Sequence, residues 1–185
     1  MSKTTRQVTA LTAALLVVAG LAGCASLTTE SRQSPSTQST TTASYGPNVV
    51  HFDGLRDIQF GRSLADLTSQ GIVRVSEQAC GPRLANIPEA GPVFAEGKLV
   101  LLWFQPPFAT PEGVQVGTPV SDVRARYGNA VDLTPPAGSY TFPGLLVTSG
   151  DRAYLFLHDG QTVQKAIAGY EKYVRQLFET GFGSC

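Results

Sequence analysis

Charge is scarce in this chain. Only 15% of its 185 residues are charged, and Lys+Arg and Asp+Glu number 14 each, so the formal net charge is zero. That balance lacks the basic footprint of a nucleic-acid-binding protein. Histidine is scarcer still, at two residues, and cysteine numbers three. Few His and Cys leave little material for a transition-metal site or a histidine-based triad, and no cofactor is implied. There is no G-x-S-x-G, no H-E-x-x-H and no phosphate-cradling glycine loop. The longest apolar run, near the start, is shorter than the ~20 residues a membrane-spanning helix needs. What is abundant is apolar character, 42% of residues, which excludes a wholly disordered chain.

The first 23 residues differ from the rest. Lys3 and Arg6 form a basic beginning without an acid, and an apolar stretch then runs from Val8 to Leu21. It ends in the small residues Ala22 and Gly23 before Cys24. Charge, length and small residues together describe a secretory signal. Leu21-Ala22-Gly23-Cys24 resembles the lipobox of bacterial lipoproteins. That resemblance implies a diacylglyceryl thioether on Cys24, cleavage just before it, and attachment to a membrane through the lipid. The protein would then sit at the cell membrane, facing the extracytoplasmic side. Acyl chains anchor at about 0.8 kcal/mol per buried CH₂. Without Lys3 and Arg6 the remaining chain is mildly acidic, so the lipid and not surface charge would hold it there.

Residues 24–46 then read as a lipidated Cys and a Ser/Thr-rich tether with no hydrophobic period. Such a segment cannot bury enough apolar surface to fold. As a flexible coil of ~22 residues it spans roughly 25 Å. The composition also admits O-linked sugars. Residues 47–185 are long enough for one globular domain with a single core.

Within that domain a short pattern occurs twice. Ile58-Gln59-Phe60-Gly61-Arg62-Ser63-Leu64-Ala65-Asp66-Leu67 overlays Val114-Gln115-Val116-Gly117-Thr118-Pro119-Val120-Ser121-Asp122-Val123. Each copy predicts a glycine turn and a short helix, with Ser63 and Thr118 as N-caps, Pro119 at the first helical position, and Gly71 and Gly128 at the ends. Each is followed by strand hairpins: 92–95 with 99–104, then 145–148 with 153–157, and Asp159-Gly160 turning into 162–168. Tyr170, Tyr173, Val174, Leu177 and Phe178 share one face of a last helix that Gly181 stops. The expected fold is α+β: an antiparallel sheet with short helices packed on one face, in two tandem helix-hairpin modules.

The doubled module, with Thr110, Gly113, Val114, Val116 and Gly117 leading into the second helix, resembles envelope domains of the BamE/SmpA and β-lactamase-inhibitor-protein types. In those domains a cysteine after the first helix and another near the C-terminus recur as a pair, and Cys80 and Cys185 match that placement. With Cys24 lipidated, export permits a Cys80–Cys185 disulfide, closing a loop of about 100 residues worth up to ~4.7 kcal/mol. Two free thiols are the alternative. The resemblance brings no catalytic residues.

Lys98-Leu99-Val100-Leu101-Leu102-Trp103-Phe104 is apolar on both alternations, as in a strand covered on both faces. Leu99, Leu101 and Trp103 are expected on one side, and Val100, Leu102 and Phe104 on the other. A helix-free sheet face built on Trp103, Tyr154 and Phe156 is the candidate binding surface, because aromatic anchors dominate such surfaces. Asp66 fits a helix-capping role, His158 a strand end, and His51 an edge segment. The function these features suggest is binding of an envelope protein or other envelope component without catalysis. A small-ligand or glycan-binding lipoprotein is the alternative, and a hydrolase the third.

Overall fold

The computed structural model describes residues 46–76, 81–139 and 141–182. Three short strands open the chain: β1 (Val50–His51), β2 (Gly54–Leu55) and β3 (Ile58–Gln59), paired as a small antiparallel sheet. Helix α1 (Leu64–Ser69) follows, and β4 (Val73–Arg74) pairs with β5 (Arg83–Leu84). Strands β6 (Ala90–Ala95) and β7 (Lys98–Phe104) form a hairpin. Helix α2 (Val120–Arg126) leads to β8 (Val131–Leu133), β9 (Gly144–Ser149), β10 (Arg152–His158) and β11 (Val163–Tyr170). Helix α3 (Glu171–Thr180) comes last. The main sheet has six antiparallel strands in the order β6-β7-β11-β10-β9-β8.

The class is α+β, weighted towards sheet. One face of the main sheet carries Leu102, Phe104, Leu145, Val147, Tyr154 and Phe156, which pack with Leu67 of α1 and Val123 of α2. The opposite face carries Leu101, Leu146, Leu155 and Ile167 under Val174, Leu177 and Phe178 of α3. So α1 and α2 share a face as expected, whereas α3 lies on the other. An apolar strand needs cover on both faces, and the third helix supplies the second layer.

Local chemistry explains the helix ends. Ser63 caps α1 by accepting from the Asp66 N–H at 3.0 Å. Gly181, at φ 74°, ends α3 in the left-handed conformation that glycine adopts without cost. Around α2 the assignment shifts by one residue. Pro119 is the N-cap, and Thr118 instead accepts from the Gln115 N–H within the preceding turn.

The duplication is visible in the backbone. In the first module Gly61 N–H donates to Leu99 O at 2.8 Å, Leu99 N–H to Arg62 O at 2.9 Å, and Leu64 N–H to Gly97 O at 2.8 Å. In the second, Gly117 N–H donates to Val163 O at 2.8 Å, Val163 N–H to Thr118 O at 2.9 Å, and Val120 N–H to Gln161 O at 2.9 Å. Gly61 and Gly117 have φ of 89° and 91°, a conformation that makes glycine necessary at both turns. Each module thus docks its helix start onto a hairpin turn: β6–β7 in the first, β10–β11 in the second. In chain order the second module is followed first by the β9–β10 hairpin, which forms, but its helix start docks on the hairpin after it.

The two hairpins also share a bulge. Pairing runs Phe94↔Leu99 then Val93↔Leu101, leaving Val100 extra; it runs His158↔Val163 then Leu157↔Lys165, leaving Gln164 extra. Strands β7 and β11 join the hairpins, through Phe104↔Ala166, Trp103↔Ile167 and Leu102↔Ala168. A local two-fold axis therefore passes through the Trp103–Ile167 pair. The bulge at Val100 also corrects the side assignment on β7, since an extra residue reverses the alternation. Leu99 joins Leu102 and Phe104, while Val100 joins Leu101 and Trp103.

Candidate functional site

Across the α3 side of the sheet, one row of residues reads Gly91, Trp103, Ile167, Leu155, Leu146, Val131. Helix α3 covers the middle of this row. Trp103 lies at the margin of that cover and is only half-buried. Beyond it Gly91 has no side chain to contribute, so the indole is not closed off from the β6 side.

Two open recesses meet at this position. One, of about 560 Å³, lies where β7 and β11 part and is bounded by Glu89, Gly91, Gln105 and Gln164. The other, of about 290 Å³, lies between the end of α3 and residues 141–142 and is walled by Phe142, Leu157, Leu177 and Phe178. Trp103 and Lys165 line both. The Lys165 ammonium stands 5.7 Å from the centre of the indole ring, within cation–π range. Phe142, 38% exposed, is one of three large apolar side chains on the described surface. Among the described residues, the Glu89, Gln105 and Lys165 side chains have no hydrogen bond or ion pair inside the chain. Volumes of about 300–1,000 Å³ with an aromatic wall and a few convergent polar groups are typical of ligand sites.

The structure does not bring Trp103, Tyr154 and Phe156 together. Tyr154 and Phe156 are 0% exposed and belong to the opposite face, beneath α1 and α2. There they form an aromatic ladder: Phe52 stacks on Tyr154 with centroids 4.1 Å apart, and Tyr127 lies 6.0 Å from both Tyr154 and Phe156. The Tyr154 hydroxyl donates to Val50 O at 3.0 Å. These two residues are core, because both faces of the main sheet carry helices. Of the three, Trp103 alone remains at a surface. Cys24, Cys80 and Cys185, with the lipidation and disulfide assigned to them, lie outside the described residues.

Gly91, Glu89, Gln105, Lys165 and Phe142 escaped the sequence pattern. Gly91 was the available signal, because an isolated glycine within a strand marks a bulge or a close approach. The run from Thr110 to Gly117 serves architecture instead. Thr110 accepts from the Val114 N–H at 3.2 Å, Arg126 donates to Glu112 O at 2.8 Å, and the buried Tyr127 hydroxyl donates to the Glu112 carboxylate. Burial first, and then that bond, push the Tyr127 phenol well above its ordinary range.

No three His, Cys, Asp or Glu side chains gather at metal-binding distance among the described residues. His158 is 7% exposed; its Nδ1 accepts from the Gly160 N–H at 3.1 Å, so the proton resides on Nε2, which is buried without a partner among the described residues. Burial and then Arg124 lower its pKa, against the opposite pull of Asp132 and Asp159. The unfolded chain, with an ordinary pKa of about 6.5, therefore takes the proton first. Stability should be full above about pH 6.5 and fall as pH drops through the folded pKa. His158→Phe, the residue at the equivalent Phe94 position, should flatten urea midpoints between pH ~7.5 and ~5. Burial also lowers the pKa of His51, against Asp53, so a residual slope belongs there. An unchanged slope in the variant would show that His158 is not the responsible group.

Compared with known proteins, the chain matches no family model, no curated protein and no solved structure.

Proposed function

We propose that this protein is a lipid-anchored extracytoplasmic binding domain, without catalysis, that engages a component of the cell envelope through the surface around Trp103. The observation that supports a ligand there is the half-buried indole between two open recesses, with the Glu89, Gln105 and Lys165 side chains beside it making no hydrogen bond or ion pair among the described residues. The lipobox-like Leu21-Ala22-Gly23-Cys24 supports the anchor, and the Ser/Thr-rich stretch after it supports a tether that lets the domain reach its target.

Two measurements test this. Intact mass of the membrane-extracted protein should give a chain starting at Cys24 and carrying a diacylglyceryl group, and Cys24→Ser should leave the membrane fraction. An unmodified Cys24 in that mass would remove the anchor from the reading. A photo-crosslinking residue at Gln105, in native membranes, should capture one dominant species that the same residue at Val75, 60% exposed and outside both recesses, does not. Identical profiles from the two positions would remove the site.

A further inference from the structure

We infer that the surface around Trp103 is a saccharide site, and specifically one for an oligosaccharide bearing N-acetyl groups. This rests on the reading of that surface as a ligand site and names what it takes.

A pyranose ring has one face of polarised C–H bonds and an edge of hydroxyls. The face is attracted to the electron-rich plane of an aromatic ring, and indole is the largest such plane. The ring must be held still while part of it stays in solvent. Trp103 meets both needs: it is paired with Gly91 on one side and Ile167 on the other, and it is half-buried. The hydroxyls need donors and acceptors at the rim whose bonds are not already taken. Glu89 accepts, Lys165 donates, and Gln105 does both; none of the three side chains makes a hydrogen bond or ion pair within the chain among the described residues, and the Lys165 ammonium lies over the indole itself.

Other ligand classes fit less well. A phosphate or polyanion would want several cations or a nest of backbone N–H groups. The first recess offers Lys165 alone and sets the Glu89 carboxylate opposite the incoming group. A purely apolar ligand would leave Glu89 and Lys165 to be desolvated without a bond. The second recess, past Trp103 and Lys165, is walled by Phe142, Leu157 and Phe178 beside Thr141. An acetamido methyl suits that apolar wall, and the Thr141 hydroxyl suits the amide. Because both recesses share Trp103, a ring stacked there has room for neighbours on either side, which favours a chain of sugars over a single one.

Gly91 supplies the means of testing this without touching the indole. A Cβ at this position would meet only the Trp103 Cβ, at 3.7 Å, an ordinary contact. Gly91→Leu should therefore fold and fill the first recess. Trp103 is the only tryptophan in the chain, so its emission reports this site alone. The full-length lipidated protein in detergent would be titrated with chitotetraose and with cellotetraose, and offered insoluble cell-wall glycan. Chitotetraose should give a saturable emission shift, cellotetraose should bind about tenfold more weakly, and Gly91→Leu should weaken chitotetraose by about tenfold or more. If Gly91→Leu has a disturbed circular dichroism spectrum, the double variant Glu89→Ala with Gln105→Ala replaces it as the test, with the same loss expected. Retention on wall glycan that chitotetraose competes away identifies a polymer as the source. Binding of the soluble sugar alone identifies free oligosaccharides. No saturable shift with any of these sugars at millimolar concentration, or full binding in a folded Gly91→Leu protein, overturns the inference. If the sugars fail while Gln105 crosslinks one protein, the ligand class is wrong and the binding role stands; if both fail, both are lost.

Discussion

Replacing Tyr154 by Ala is expected to lower the unfolding free energy by about 3–5 kcal/mol, the range for removing a fully buried aromatic side chain. The side chain is 0% exposed and sits at the centre of the ladder made by Phe52, Tyr127 and Phe156. Its removal deletes a stacked contact at 4.1 Å as well as the bond to Val50 O, which ties strand β1 to the main sheet alongside the packing of Val50 in the same core. Domains of this size are stable by only about 5–15 kcal/mol, so the loss is a large share of the total. Tyr154→Phe keeps the ring and removes only the hydroxyl, and should cost about 1 kcal/mol. Denaturant titration separates the two variants: the midpoint should fall far for Ala and little for Phe, with the slope unchanged. If Tyr154→Ala kept its midpoint and instead lost an envelope ligand, the ladder would be a binding surface after all. The geometry gives the opposite division: Tyr154 and Phe156 are buried in the fold, while Trp103 on the other face stays half-exposed, where the ligand is proposed.

That division was half legible in the sequence. Signals carried by a few adjacent residues read through directly: the Ser63 cap, the glycine ending α3, the Asp159-Gly160 turn, and the spacing of Val174, Leu177 and Phe178. The run from Leu99 to Phe104 correctly announced burial on both faces. Which residue faces which way did not read through, because one extra residue at Val100 reverses the alternation, and a bulge leaves no mark in an unbroken apolar run. Strands β1 to β5 are two residues each, too short to show any period. The doubled Gly61 and Gly117 pattern was visible, yet its docking partners depend on pairing between distant strands. For the candidate site, the sequence grouped Trp103 with Tyr154 and Phe156, of which Trp103 alone lies at a surface. Its companions there did not read through, since Gly91, Glu89 and Gln105 become neighbours only through the β6–β7 pairing and the parting of β7 from β11.

The same pairing predicts a second large loss, from a single methyl group in β11. Gly169→Ala should cost about 3–5 kcal/mol, combining overpacking with backbone strain. Gly169 lies in β11 opposite Leu101 of β7 and Ala153 of β10, so strands flank it on both sides. A Cβ there would collide with Val100 O and stand 2.7 Å from Leu101 Cδ2. The carbonyl belongs to the bulged residue, and backbone held in a sheet cannot swing aside as a flexible side chain can. A φ of 157° adds a conformation that residues with a Cβ rarely adopt. The damage falls on the seam between the two hairpins, because β7 and β11 pair at only four positions and Gly169↔Leu101 is the last of them. The nearby Gly91 makes the control, since its Cβ meets nothing closer than 3.7 Å and Gly91→Ala should leave the midpoint almost unmoved. Thermal and denaturant unfolding of the two variants side by side reads the difference. Equal midpoints would mean that β11 can move away from the Val100 bulge, and that the seam is looser than its contacts imply. A large drop for Gly169→Ala alone would fix the seam as the rigid part of the fold, with Trp103 mounted directly on it.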